Sequence, residues 1–183
     1  MSGIEVLRTE RLILRHLTED DAPFILELLN EPGFIGNIGD RGVRDLDGAR
    51  RYVTEGPGAS YQKYGYGLWA TVLRESGEVI GICGLVKREG LADIDIGFGF
   101  LPRYRSQGYA IEAARVILAQ AQDQLGLERL VAITSQDNDR SANVLRKLGF
   151  EFEKLIRFPG EEKEIRLFGW KPDSPDAASN EQA

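Results

Sequence analysis

The chain is poor in the residues that carry most metal and redox chemistry: its 183 residues hold one cysteine, Cys83, and one histidine, His16. A single cysteine excludes an internal disulfide, and one His with one Cys is a poor basis for a transition-metal site. Cys83 lies in an apolar run with no histidine near it in sequence, so it is read as a buried, inert thiol rather than a nucleophile. No apolar run reaches the length that spans a bilayer. The first thirty residues carry charges throughout and lack the apolar block of a signal peptide, so a cytoplasmic protein is the expectation. No Gly-Lys-Ser/Thr ending completes a Walker loop. The glycine-bearing loop near position 105 follows a run of strands rather than the first strand of a parallel sheet, which excludes a dinucleotide Rossmann fingerprint. The net charge of −6 argues against non-specific nucleic-acid binding. It suits a cationic partner, or serves solubility alone.

What is present is a core-forming composition, 42% hydrophobic and 28% charged. It fits one domain, 1–170, followed by a polar tail over 171–183 that holds two prolines and no apolar periodicity and is expected to be disordered. Thr9 to Leu17 reads as a first strand. Thr18-Glu19-Asp20-Asp21 opens a helix that ends near Pro32-Gly33, and Gly33 to Gly42 reads as a loop. A second, short helix over Asp45 to Glu55 is stopped by Gly56-Pro57-Gly58, and the three tyrosines of Tyr61 to Tyr66 fall on a loop. Gly67 to Arg74, Val79 to Lys87 and Ala92 to Leu101 follow as an antiparallel meander, because their links are too short for crossovers. Gly108 to Leu125 is the clearest helix, with apolar residues at spacings of three and four and Gly126 as its stop. Leu130 to Ser135 is a strand parallel to the one before that helix. Asn138 to Leu148 is a further helix, and Phe150 to Phe158 with Lys163 to Trp170 forms a closing hairpin. The order β-α-α-β-β-β-α-β-α-β-β makes an α+β fold: a mixed, mostly antiparallel sheet with flanking helices.

Between the meander and the clearest helix lies Leu101-Pro102-Arg103-Tyr104-Arg105-Ser106-Gln107-Gly108-Tyr109-Ala110. Small residues at a helix start leave backbone N–H groups without internal partners, and the helix dipole adds positive potential. Such a loop either seats a phosphate or pyrophosphate, or is a plain strand-to-helix turn that needs Gly108 for its backbone angles.

Ile94-Asp95-Ile96-Gly97-Phe98, followed by Arg105-Ser106-Gln107-Gly108-Tyr109-Ala110 and Glu112-Ala113-Ala114, resembles the acetyl-CoA motif of GNAT-type N-acetyltransferases. Asn138-Asp139-Arg140-Ser141-Ala142-Asn143-Val144-Leu145-Arg146-Lys147-Leu148-Gly149-Phe150 is similar to the later helix motif of that family. Thr9-Glu10-Arg11-Leu12-Ile13-Leu14-Arg15 is similar to the first strand of the branch that includes ribosomal-protein N-terminal acetyltransferases. The resemblance spans about residues 7 to 170. It implies a splayed pair of parallel strands with the pantetheine arm of acetyl-CoA along Phe98, Gly99, Phe100 and Leu101. It further implies that the pyrophosphate lies on the N–H groups of Ser106, Gln107, Gly108, Tyr109 and Ala110, with Arg103 and Arg105 as charge partners and Asn138 and Ser141 on the cofactor side. Arg140 and Lys147 meet the adenosine phosphates or are exposed helix charges.

The implied reaction is direct attack of a primary amine on the thioester. At pH 7 a lysine-like amine costs about 4.6 kcal/mol to deprotonate and an α-amine about 1.4 kcal/mol, so a base matters far more for the first. Asp95 stands where many relatives have a glutamate and is the candidate base, although strand alternation leaves its face undecided. Many family members carry a tyrosine acid at the position of Leu145, which leaves Ser141 as the candidate acid. The implied acceptor is a protein N-terminus, such as that of a ribosomal protein, or a small cationic amine. The rival expectation is a non-catalytic acyl-CoA-binding module. Neither nucleic acid, membrane nor metal is implied, and the chain is expected to be a monomer or a homodimer.

Overall fold

The computed structural model describes residues 3–172. From position 173 the expected polar tail lies outside the described residues. Eight strands form one sheet: β1 (Glu5–Arg8), β2 (Leu12–Arg15), β3 (Leu68–Leu73), β4 (Val79–Val86), β5 (Asp95–Phe100), β6 (Leu130–Thr134), β7 (Glu151–Ile156) and β8 (Ile165–Trp170). Their spatial order is β1-β2-β3-β4-β5-β6-β8-β7, and β5–β6 is the parallel pair in an otherwise antiparallel sheet. This is the expected α+β fold.

The helices are α1 (Ala22–Leu29), α2 (Pro32–Asn37), α3 (Leu46–Val53), α4 (Ala59–Tyr64), α5 (Tyr109–Asp123) and α6 (Asp139–Lys147). The sheet separates two apolar clusters. Ala113, Ala114, Ile117, Leu118 and Ala121 of α5 are buried at helical spacing against Leu12, Leu14, Trp69, Ile80 and Leu85 on one face. Ile25, Leu28 and Leu29 of α1, with Ala49 and Val53 of α3, pack on Ala70, Val72 and Ile82 on the other. Trp69 and Ala70 are sequence neighbours on opposite faces, as the two-residue period of a strand requires. The alanines of α5 let the helix lie close to the sheet.

Four sequence expectations change. The first strand is a β1–β2 hairpin, with Glu5 opposite Arg15. Gly33 to Gly42 is not all loop, because Pro32–Asn37 forms α2. Its first turn is capped by the Glu31 carboxylate, which accepts from the N–H groups of Gly33 (3.0 Å) and Phe34 (2.8 Å). Pro32, read as a stop, is instead the first helical residue, where its missing N–H costs nothing. Gly56-Pro57-Gly58 does not end the α3 segment. A π-helical turn, Thr54–Gly58, absorbs Pro57 and continues into α4, so Tyr61 sits on a helix. The ring of Tyr61 stacks on His16 at 3.9 Å, which gives the one histidine a structural place.

Gly81 and Gly84 on β4 permit close approach. A Cβ on Gly84 would run into the backbone carbonyl of Gly67, which no rotamer change relieves. Gly84→Ala is therefore expected to destabilise the fold by about 1–3 kcal/mol through backbone displacement. Urea unfolding checks this, and an unchanged midpoint would contradict the packing described.

Candidate active site

β5 and β6 are joined at one residue pair, Asp95 opposite Val131, with the Val131 N–H donating to the Ile94 carbonyl (3.0 Å). Beyond that point they part, while β5 stays paired to β4 through Phe100. Pleat alternation fixes what faces the gap. Ile94 turns its carbonyl toward β6, so the backbone groups of Phe98 and Phe100 point the same way with no strand beside them.

A cavity of about 750 Å³ opens on this edge. It is bounded by Phe98, Gly99 and Phe100, by Arg105, Ser106, Gly108, Tyr109 and Ala110, and by Asn138 and Ser141 at the start of α6. Ser106 (φ 61°) and Gly108 (φ 83°) are both left-handed, which curls the loop at the start of α5, where the first N–H groups have no intrahelical partner. Asn138 caps α6, its Oδ1 accepting from the Ser141 N–H (3.3 Å).

Three predicted cofactor residues are not in this cavity. Leu101 is buried in the α1–α3 core. Arg103 turns away to Glu27 (2.6 Å), so its charge is already neutralised on the far side of the loop. The side chain of Gln107 folds back to the Arg103 carbonyl (3.0 Å). Arg105 does border the cavity, but its guanidinium is occupied by the Phe100 carbonyl (3.2 Å) and the Glu31 carboxylate (2.8 Å). It ties the cap of α2 to the cofactor loop and is a bracket more than a free cation.

A second bracket escaped the sequence reading. Arg11, on the β1–β2 turn, donates to Glu112 (2.7 Å) and to the Gln107 carbonyl (3.1 Å), and lies 4.3 Å from the Tyr109 ring centre. Thr9 donates to the same Glu112 carboxylate (2.7 Å). The Thr-Glu-Arg opening was legible as a motif, but its task, holding the loop from the opposite end of the chain, needed the fold.

Next to the first cavity lies a second of about 430 Å³, and the two share Phe34, Asn37, Ile38, Phe98, Asn138 and Ser141. Asp95 borders the second one. Its carboxyl is fully buried, with Oδ2 accepting from Arg88 (3.0 Å) and Oδ1 left without a partner. Burial raises its pKa above the ordinary aspartate value, against the opposing pull of Arg88. Its sequence neighbour in parity, Asp93, is instead held by Arg129 (3.0 Å). Leu145 is buried core at the edge of the second cavity, and Cys83 is fully buried with its thiol pKa pushed up by desolvation. Among the described residues no cluster of His, Cys, Asp or Glu is arranged to hold a metal. No described helix is long and apolar enough to cross a membrane.

The model of the acetyltransferase (GNAT) domain matches residues 11–151. The chain belongs to the GNAT acetyltransferase family. An uncharacterized N-acetyltransferase of Bacillus subtilis, YoaA, is 28% identical over 155 residues, 83% of this chain and 86% of that protein. The crystal structure of an acetyltransferase from Agrobacterium tumefaciens superimposes with a TM-score of 0.78 at 28% identity, covering 93% of this chain and 96% of that one. A ribosomal L7/L12 alpha-N-protein acetyltransferase solved with coenzyme A shares the fold (TM-score 0.76, 17% identity, 91% and 97% covered). The chain is thus an acetyl-CoA-dependent acetyltransferase. The β5 edge that no strand covers and the Ser106–Ala110 loop are the candidates to hold the amides and the pyrophosphate of that co-substrate.

Two substitutions separate the loop from its neighbours. Gly108→Val forces a branched residue into the left-handed region, and is expected to raise the acetyl-CoA Kd about tenfold or more with the fold retained. Arg103→Ala is expected to leave that Kd within about twofold, since the charge is spent on Glu27. Isothermal calorimetry reads both.

Proposed function

We propose that the protein transfers the acetyl group directly to a primary amine, either a protein N-terminus or a small molecule, with Asp95 as the proton acceptor and Ser141 as the proton donor to the leaving thiol. The supporting observation is the unpartnered, buried Oδ1 of Asp95 on the wall of a cavity that adjoins the cofactor cavity. Acetyl-CoA, when bound, supplies an activated thioester. An amine reaching Asp95 from the second cavity would meet it at the shared wall formed by Phe98, Asn138 and Ser141. Two adjoining cavities favour simultaneous occupation and direct attack. The burial of Cys83 argues against an acyl-enzyme.

In this scheme Oδ1 of Asp95 receives a proton from the amine, directly or through one water, and Arg88 holds the carboxyl in place. A raised pKa makes the carboxylate a stronger base than a solvated aspartate. The Phe98 N–H faces the gap, placed to donate to the acyl oxygen. The Ser141 hydroxyl accepts from Asn138 Nδ2 (3.0 Å), which leaves its own proton free to donate. A thiol is acidic enough to leave with little help, so Ser141 contributes less than Asp95. The ribosomal-protein acetyltransferase among the fold neighbours makes a protein α-amine one reasonable acceptor.

Asp95→Asn is expected to lower kcat by about 10²–10⁴ for an amine of high pKa and by much less for an α-amine, with acetyl-CoA affinity retained. The wild-type kcat/KM is expected to fall on the acid side as Asp95 protonates. The midpoint should lie above the ~3.9 of a free aspartate, because burial raises it, and this limb should vanish in the variant. Thiol release over an amine panel that includes N-terminal peptides tests the activity. Acetyl-CoA binding without turnover of any amine would favour a non-catalytic module instead.

A further inference from the structure

The net charge of −6 makes a cationic acceptor the natural first expectation for this enzyme. The second cavity has a different local character. Its charged lining is Arg41, Arg88, Asp95, Glu161 and Lys163. Arg88 and Asp95 neutralise one another. Two cations, Arg41 and Lys163, then line the cavity with one acid, Glu161, all three on exposed residues, in a protein with an overall excess of acids. Most arginines here are tied to a carboxylate, among them Arg44 to Asp40 and Arg166 to Asp139. Arg41 and Lys163 have no ion pair with any described residue. They come from separate segments, Arg41 from the α2–α3 link and Lys163 from the β7–β8 link, and both border the same cavity.

Tyr52 of α3 completes the group. Its ring is largely buried in the wall of the cavity, and burial raises its pKa against the opposing fields of Arg41 and Arg88. Its hydroxyl has no protein partner among the described residues and is free to donate. The remaining wall mixes apolar side chains, Leu68, Ile82 and Phe158 among them, with the uncharged polar Asn37, Thr134, Ser135, Asn138 and Ser141. A volume of about 430 Å³ suits a small molecule. The cavity therefore offers a lone acceptor, Asp95 Oδ1, and a guanidinium, an ammonium and a phenol whose strongest hydrogen bonds are to an anion.

We propose that the acceptor is a small primary amine carrying a carboxylate or a phosphate on the same molecule, its nitrogen at Asp95 and its acidic group at Arg41, Tyr52 and Lys163. This rests on the acetyltransferase reading above and narrows its acceptor. The transfer is unchanged: the nitrogen–acetyl bond forms, the carbon–sulfur bond breaks, the amine proton passes to Asp95, the coenzyme A thiolate takes a proton from Ser141 and leaves as the thiol, and the Asp95 proton returns to Ser141 through solvent.

The test pairs amines that differ in the acidic group: phenylalanine against phenylalaninamide, and phosphoethanolamine against ethanolamine, with spermidine as the polycation. At saturating acetyl-CoA, kcat/KM corrected for the free-amine fraction is expected to favour the acidic member of at least one pair by about tenfold or more, and which pair responds tells carboxylate from phosphate. Calorimetry supplies a readout apart from turnover. The N-acetylated acid of the preferred pair is expected to bind the coenzyme A-loaded protein, and its neutral counterpart to bind about tenfold more weakly or not at all. The double variant Arg41→Glu with Lys163→Glu is expected to abolish both preferences while acetyl-CoA affinity is kept. Equal or better use of the neutral amines or of spermidine, with acetyl-CoA still bound, overturns the acidic acceptor and leaves the acetyltransferase reading standing. Failure of acetyl-CoA to bind overturns both.

Discussion

β5 and β6 hold together at Asp95 and Val131 and nowhere beyond, and the whole site depends on that single joint. A fully zipped pair would satisfy the β5 edge and leave nothing for a ligand. Separation from the first residue would break the sheet in two. One pair keeps the core continuous and leaves no strand beside Phe98 and Phe100 where they border the cavity; the Phe100 carbonyl is met there by Arg105 (3.2 Å), and the rest of that edge is open to a ligand. Asp95 sits at the joint itself, which is why it is buried in the sheet and still borders the second cavity. Placing a carboxyl there costs desolvation, and it stays half-satisfied, with one oxygen on Arg88 and one without a partner; the proposed role as base rests on that state.

The Ser106–Ala110 loop is held by two segments from the N-terminal part of the chain. Arg11 fastens it to the β1–β2 turn and Arg105 fastens it to the cap of α2. Neither arginine need touch a phosphate to matter, because a left-handed Ser106 and Gly108 present the first N–H groups of α5 only if the loop keeps its shape. The Arg105–Glu31 pair also joins the two cavities. Glu31 caps the helix whose Phe34 borders both, so one hydrogen-bonded chain links the Ser106–Ala110 loop to the wall of the second cavity.

The meander, α5, β6 and α6 were legible because each announces itself locally: alternation, a long alanine-rich stripe, an Asn cap and a Gly stop. The two motifs gave the site its location for the same reason. What was illegible was settled by contacts distant in sequence. α2 is six residues long and holds two glycines, and it exists because Glu31 caps it and Phe34 buries itself over Gly99. Arg103 and Arg105 look alike in the sequence, and only the positions of Glu27 and Glu31 send one away from the cavity and the other to its edge. The face of Asp95 could not be read from parity shared with Asp93. The lining of the second cavity is drawn from at least five segments without a common motif, so no stretch of sequence marks it.

The central claim is that the β5 edge stays open until the co-substrate pairs with it, and backbone hydrogen exchange followed by mass spectrometry tests that most directly. Adding coenzyme A is expected to slow exchange in peptides covering Phe98 to Phe100 and Ser106 to Ala110, while the exposed outer strand β7 stays unchanged. Slow exchange at Phe98 and Phe100 already in the free protein, with no further change on adding coenzyme A, would contradict the account.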